Sequence, residues 1–309
     1  LAVRAKSKAE GRGRVTVPES KSRETLDPTH PLFGLGYALP IGDRTFTRVD
    51  DGRAALESAS VAEEIPVALA YNGRAHVVMM CTPADIEDFA RGFTLTEEIV
   101  AQAKDIESIR AVRYSAGIEV AVGIPAERAV ALESRGRALV GRTGCGLCGV
   151  TTIDDALRPG RLVASPEPLT VDALLRAASE LPARQPYNQG TGAVHAAGWA
   201  LPDGKLVLVR EDVGRHNALD KLIGAMIVAH VDPAAGVAIV TSRASYELVQ
   251  KCAAVGIGAL AAVSRPTGLA VRMAEAAGIG LAGLVRGRSA NFYAHPEIFG
   301  ASYAIAPQS

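Results

Sequence analysis

The chain has 309 residues, long for one compact domain and comfortable for two. Hydrophobic residues make up 48% and charged residues 21%, enough for a sizeable core. Lys+Arg and Asp+Glu both number 33, so bulk electrostatics gives no reason to expect nucleic acid or a membrane as a partner.

In chain order, residues 1–35 mix charged, hydroxyl and Pro residues without apolar periodicity and are expected to form a disordered leader. The opening LAVRAKSKAEGRGR carries charges where a signal peptide needs an apolar core. No apolar run reaches the length of about 18 residues that a membrane span needs, so a cytoplasmic protein is expected. Residues 36–139 read as a small α+β domain. Within it, Val67–Tyr71, Asn72-Gly73 and Arg74–Cys81 predict a tight hairpin, because Asn and Gly tolerate the positive φ of a type I′ turn. Thr82-Pro83-Ala84-Asp85 predicts a helix cap, and Ile86, Phe89, Ala90 and Phe93 share the face of the helix after it. Strands over Ile109–Tyr114 and Ile118–Ile124 and a helix over Pro125–Ser134 complete this half. Residues 140–152 hold GRTGCGLCG, a glycine density that neither helix nor strand survives, and so predict a mobile loop.

Residues 153–309 alternate differently. After a helix over Val171–Leu181, strands are expected at Ala193–Ala200 and Leu206–Val209. A helix follows with Leu219, Leu222, Ile223, Met226 and Ile227 on one face. Strand (Val237–Val240), helix (Tyr246–Ala254), strand (Ala259–Val263), helix (Leu269–Ala277) and strand (Leu281–Val285) then imply βαβ crossovers and a parallel sheet.

Ligands of open α/β sheets bind beyond the carboxyl ends of the strands. Here those ends carry Arg210–Asn217, Thr241-Ser242-Arg243, Ser264–Thr267 and Arg286–Ser289, each combining arginine with small or hydroxyl residues. A single such arginine is most simply a strand cap or a partner of Glu211 or Asp212. Four edges together argue for an anion site of nucleotide size. No GxGxxG or P-loop is present. His195 reads as a hydrogen-bonded core histidine, and His216, inside the charged cluster, is the better ligand-facing candidate.

Of four cysteines, Cys81 and Cys252 sit in apolar contexts and read as inert core thiols. Cys145 and Cys148 form a CxxC. Structural zinc needs four ligands, and neither a second CxxC nor an H-x₃₋₅-H exists, so no zinc is expected. Thioredoxin-type exchange needs the first Cys at a helix start, whereas Val150-Thr151-Thr152-Ile153 is β-branched. Sulfur carriage remains the third use: a loop thiolate accepts a sulfur atom as a persulfide, with Arg142 near enough in sequence to favour the anion.

The segments GCGLCG (Gly144 to Gly149), EDVGRHNALDK (Glu211 to Lys221), SRASYELVQKC (Ser242 to Cys252) and SRPTGLAV (Ser264 to Val271) resemble the formate dehydrogenase accessory sulfurtransferase family, FdhD. The stretch Tyr71 to Ile99 matches too, and the similarity runs in order from about residue 40 to 305. The resemblance implies a C-terminal cytidine-deaminase-like three-layer α/β/α domain beside the smaller α+β domain. It implies a persulfide-forming sulfurtransferase that takes sulfur from a cysteine desulfurase to the molybdenum cofactor needed by formate dehydrogenase. Cys145 would be the persulfide site and Cys148 its companion. The cofactor, as bis-molybdopterin guanine dinucleotide, would be a bound substrate contacted by Leu284, Val285, Arg286, Gly287, Arg288 and Ser289. The expected partners are the desulfurase and the formate dehydrogenase apoenzyme, and a homodimer is expected. A non-catalytic cofactor-binding chaperone is the alternative. Zinc-dependent deamination needs H-x-E and P-C-x-x-C, and here His195 is followed by Ala196-Ala197.

Overall fold

The computed structural model describes residues 26–136 and 161–301. Cys145, Cys148 and the loop 140–152 lie outside the described residues, as do residues 1–25 of the expected leader. No helix among the described residues is long and apolar enough to cross a membrane.

The chain begins its regular structure with a hairpin, β1 (Ile41–Asp50) and β2 (Arg53–Ala62), that the sequence reading did not anticipate. Next come β3 (Ile65–Tyr71) and β4 (Arg74–Cys81), joined as expected through Asn72 and Gly73, at φ 48 and 81. Helix α1 (Ile86–Thr96), β5 (Ser108–Tyr114), β6 (Gly117–Gly123) and α2 (Ala126–Gly136) follow. They form a four-stranded sheet of order β4-β3-β6-β5, with Val67, Leu69, Val120 and Val122 on the face that packs against Phe89 and Ala90 of α1.

The second half holds α3 (Val171–Glu180), α4 (Pro186–Thr191), β7 (His195–Ala200), β8 (Leu206–Asp212), α5 (Arg215–Val228), β9 (Val237–Val240), α6 (Tyr246–Val255), β10 (Ala259–Ala262), α7 (Gly268–Ala277), β11 (Gly280–Arg286) and β12 (Ser289–Ala294). The six-stranded sheet has the order β12-β11-β10-β9-β7-β8. It is mixed rather than parallel throughout: β9, β10 and β11 run parallel, while β7 and β12 run against their neighbours. Two of the antiparallel pairs are hairpins, β7–β8 through a short turn and β11–β12 through Gly287-Arg288, whereas β9 reaches the other side of β7 through α5. Alternation along the strands divides the core. Ala197, Trp199, Val240, Leu260 and Leu281 face α5, α6 and α7, whereas Ala196, Ile239, Ala261 and Ala282 face α3. The result is the expected three-layer α/β/α arrangement.

Helices α1 and α5 bind the two halves together at very short range. A Cβ on Gly92 would lie 1.8 Å from the Asp220 carbonyl oxygen, and one on Gly224 would lie 2.0 Å from that of Asp88. Each glycine thus admits the backbone of the other helix. Beside this crossing, Lys251 Nζ donates to Asp220 Oδ2 (3.0 Å), Glu97 Oε1 (2.7 Å) and Thr96 Oγ1 (2.9 Å), using all three of its donors.

Thr82 departs from the expected role of helix cap. Asp85, at φ 53, directly precedes α1, with no side-chain cap hydrogen bond. Thr82 is fully buried between the halves: its amide donates to Asp212 Oδ2 (3.0 Å) and its Oγ1 accepts from the Val213 amide (3.0 Å). Its carbonyl accepts from Lys221 Nζ at 3.0 Å. A threonine that satisfies buried groups of a distant strand has none left for the local helix start.

Candidate functional site at the carboxyl rim

Because β7 is antiparallel to both β8 and β9, strands β8, β9, β10 and β11 all point the same way. Their carboxyl ends form one rim. The starts of β7 and β12 reach the same rim, since His195 pairs with Asp212 and Arg286 with Ser289. All four charged segments of the sequence reading are therefore brought to one edge.

They divide there into two kinds. Arg210 is structural: its Nε and Nη2 donate to Asp88 Oδ2 at 3.0 and 2.8 Å, across the contact between the halves. The Glu211 carboxylate accepts from the amides of Tyr187 and Asn188 at 3.0 and 2.8 Å, and burial pushes its carboxyl up. Asp212 is fully buried, paired with Lys221 Nζ at 2.7 Å, and accepts from the Gly214 amide and from Asn217 Nδ2. Of the charges in Arg210–Asn217 that the sequence reading set at an anion site, Arg210 and Asp212 thus tie the two halves and Glu211 holds the start of α4; a buried ion pair such as Asp212–Lys221 needs such additional hydrogen bonds to offset its desolvation.

The second kind remains available. Arg243, Arg265, Arg286 and Arg288 are exposed and make no ion pair among the described residues. Arg215 Nε and His216 Nε2 are buried at the start of α5 with no hydrogen-bond partner among the described residues. His216 Nε2 stands 3.7 Å from Glu247 Oε2, longer than a hydrogen bond. Across the rim, burial and then the nearby Arg215 charge hold the His195 imidazole below the usual histidine range, which favours its neutral form at pH 7.

Leu284–Ser289 is not the end of the sheet, as β12 follows it. Leu284, at φ 52, occupies a register shift between β11 and β12, and its amide donates to the Ser264 carbonyl at 3.0 Å. Gly287, at φ 59, turns the chain back, leaving Arg286, Gly287, Arg288 and Ser289 exposed. The Val285 side chain is buried in the core, so only its backbone could face a ligand.

Cys81 and Cys252, the two cysteines among the described residues, are both fully buried. Burial raises both thiols, Cys252 to about 12, so neither supplies thiolate at neutral pH.

A family model described as the FdhD/NarQ family matches residues 62–299. The chain belongs to the FdhD/NarQ family. Among its relatives is the sulfur carrier protein FdhD of Bordetella petrii, 51% identical over 244 residues, covering 79% of this chain and 88% of the relative. The sulfur carrier protein FdhD of Cupriavidus necator is 50% identical over 270 residues, covering 87% of this chain and 93% of that one. A crystal structure of a candidate formate dehydrogenase accessory protein from Desulfotalea psychrophila superposes with a TM-score of 0.69 at 24% identity. It covers 84% of this chain and 98% of that chain, and so shares the FdhD/NarQ fold.

Proposed function

We propose that this protein is a sulfur carrier in formate dehydrogenase maturation, acting in the cytoplasm. Its relatives' names support the sulfur-carrying role, and the sorting of its thiols carries the residue assignment. With Cys81 and Cys252 sealed in the cores, the sulfur falls to the Cys145–Cys148 pair. The Cys145 thiolate attacks the terminal sulfur of a cysteine desulfurase persulfide. A new S–S bond forms to Cys145, the donor's S–S bond breaks, and the desulfurase thiolate leaves. Cys148 is the companion thiol.

The carrier then delivers this sulfur to the molybdenum cofactor, whose bis-molybdopterin guanine dinucleotide form is its bound substrate. Arg286 and Arg288, with the exposed backbone of Gly287 and Ser289 in the segment that begins at Leu284 and Val285, offer guanidinium forks and main chain to phosphate oxygens. Arg243 and Arg265 extend the same cationic edge. In a strain lacking its own carrier, wild-type protein should restore formate dehydrogenase activity. A Cys145→Ala protein of unchanged melting temperature should restore none, and activity retained by that variant would overturn the assignment.

A further inference from the structure

Helices α5 and α6 begin side by side at the rim, and two pairs of side chains face each other between them, one helical turn apart. The deeper pair is closed, with Lys251 Nζ donating to Asp220 Oδ2 at 3.0 Å. His216 and Glu247 lie four residues earlier on each helix and stay open, with Nε2 and Oε2 3.7 Å apart. That is about 0.8 Å beyond the usual N···O hydrogen bond. The closed pair shows that the helices stand at a spacing that charged groups can bridge, so the gap is particular to the rim.

The groups around the gap are orphaned. Arg215 Nε, His216 Nε2, Ser245 Oγ and Glu247 Oε2 are all buried without a hydrogen-bond partner among the described residues. Ser245 stands at the N-cap of α6 and is of the type that closes a helix start, yet its hydroxyl makes no cap bond. His216 and Ser245 are only 6% and 8% exposed, so bulk water does not satisfy them. Buried polar atoms are ordinarily paired, and four unpaired ones at two adjoining helix starts mark a place for a ligand.

Glu247 sorts the ligands that fit. Burial opposes its charge, but His216, Ser245 and its own amide outweigh burial and hold the carboxyl down at about 2. An ionised carboxylate repels phosphate, which belongs instead with the exposed Arg243, Arg265, Arg286 and Arg288. Glu247 calls for N–H donors, whereas Arg215 Nε is itself a donor and calls for an acceptor. A guanidinium or ammonium group has donors alone and would leave Arg215 unpaired. A 2-amino-4-oxopyrimidine edge has both: its ring N–H and amino group suit a carboxylate, and the carbonyl oxygen beside them suits a guanidinium or hydroxyl. Guanine and pterin share this edge. We propose, resting on the reading that the molybdenum cofactor is a bound substrate, that Glu247 is a specificity-determining residue that reads this edge, with Arg215 and Ser245 donating to its carbonyl oxygen.

The test is equilibrium binding to the full-length protein, by calorimetry, of GDP against IDP and of 6-hydroxymethylpterin against 6-hydroxymethyllumazine. The second member of each pair lacks the amino group. Two-point reading of a base edge discriminates by about 5- to 150-fold, so the wild type should prefer the amino-bearing member of at least one pair by such a factor. Glu247→Gln keeps the shape but replaces one acceptor oxygen by a donor. It should weaken binding of that amino-bearing probe by a similar factor and abolish the preference. The pair that responds identifies whether the guanine or the pterin end sits there. A wild type that binds both members of each pair equally would overturn the inference without any variant, and so serves if Glu247→Gln does not fold. A folded Glu247→Gln protein that keeps the preference would overturn it as well. Under either result the probes still bind, and the cofactor remains a bound substrate. A wild type that binds none of the four would overturn that reading together with the role of Glu247.

Discussion

Replacing Gly92 by Ala sets two physical effects against each other with opposite signs. Helix propensity alone favours alanine in α1 by about 1 kcal/mol. The structure opposes it, because the new methyl would sit 1.8 Å from the Asp220 carbonyl oxygen, where ordinary contact begins at 3.4 Å. Helices α1 and α5 must therefore part by about 1.5 Å to regain normal contact. Overpacking of this kind costs about 1–3 kcal/mol, and the Thr96–Asp220 hydrogen bond of 2.7 Å lies close enough to be stretched as well. The net effect should be a loss of about 2 kcal/mol, or about 4–8 °C in melting temperature for a domain of this size. Gly224→Ala should behave alike, and the double variant should cost less than the two singles together, because the helices part only once. Gly268→Ala is the control, as its methyl would meet only the flexible Arg272 side chain at 3.7 Å. Calorimetry with chemical denaturation reads all four proteins. A Gly92→Ala protein as stable as the wild type, or more so, would refute the close crossing.

Three further outcomes follow from the buried groups. Lys221→Met should cost about 3–5 kcal/mol by leaving the Asp212 carboxylate buried without its counter-charge, and a urea titration would show it. Burial holds the His76 and His195 imidazoles below their ordinary 6.5, so below that pH the unfolded chain binds protons that the folded one does not. Stability is then complete above 6.5 and falls as the pH drops toward the folded values; melting temperatures from about pH 7.5 to about pH 5.5 should decline, less steeply in His76→Phe. In native protein Cys81 and Cys252 should resist thiol reagents, and a protein lacking Cys145 and Cys148 should label only on unfolding.

Much of the fold is legible in the residues. Asn72-Gly73 can turn two strands only one way, and the apolar spacing of Leu219, Leu222 and Met226 allows little but a helix packed on a sheet. The register-level details are not legible. The pairing of β1 with β2 leaves no alternation of buried and exposed residues to read, because nearly all of both strands is exposed. Strand β12, Ser289–Ala294, is short and joined across a register shift. Thr82-Pro83 has the composition of a helix cap, and only the distant Asp212 and Lys221 divert it. The rim shows the same division. Its four arginine-bearing segments could be placed from strand ends alone, because the sheet topology carries them there. Which charges face solvent could not, since that depends on Asp88 and Thr82 arriving from the other half of the chain. The Asp220–Lys251 pair lay inside two recognised motifs, yet nothing in local spacing marks it as the tie between the halves.

The most direct test of sulfur carriage is the intact mass of the protein after incubation with a cysteine desulfurase and cysteine, measured without reductant. Wild-type protein should gain about one sulfur atom, removable by a thiol reductant, and Cys145→Ala should gain none. A wild type that stays unmodified, or a Cys145→Ala protein that takes up the sulfur, would contradict the assignment of the carrier thiol.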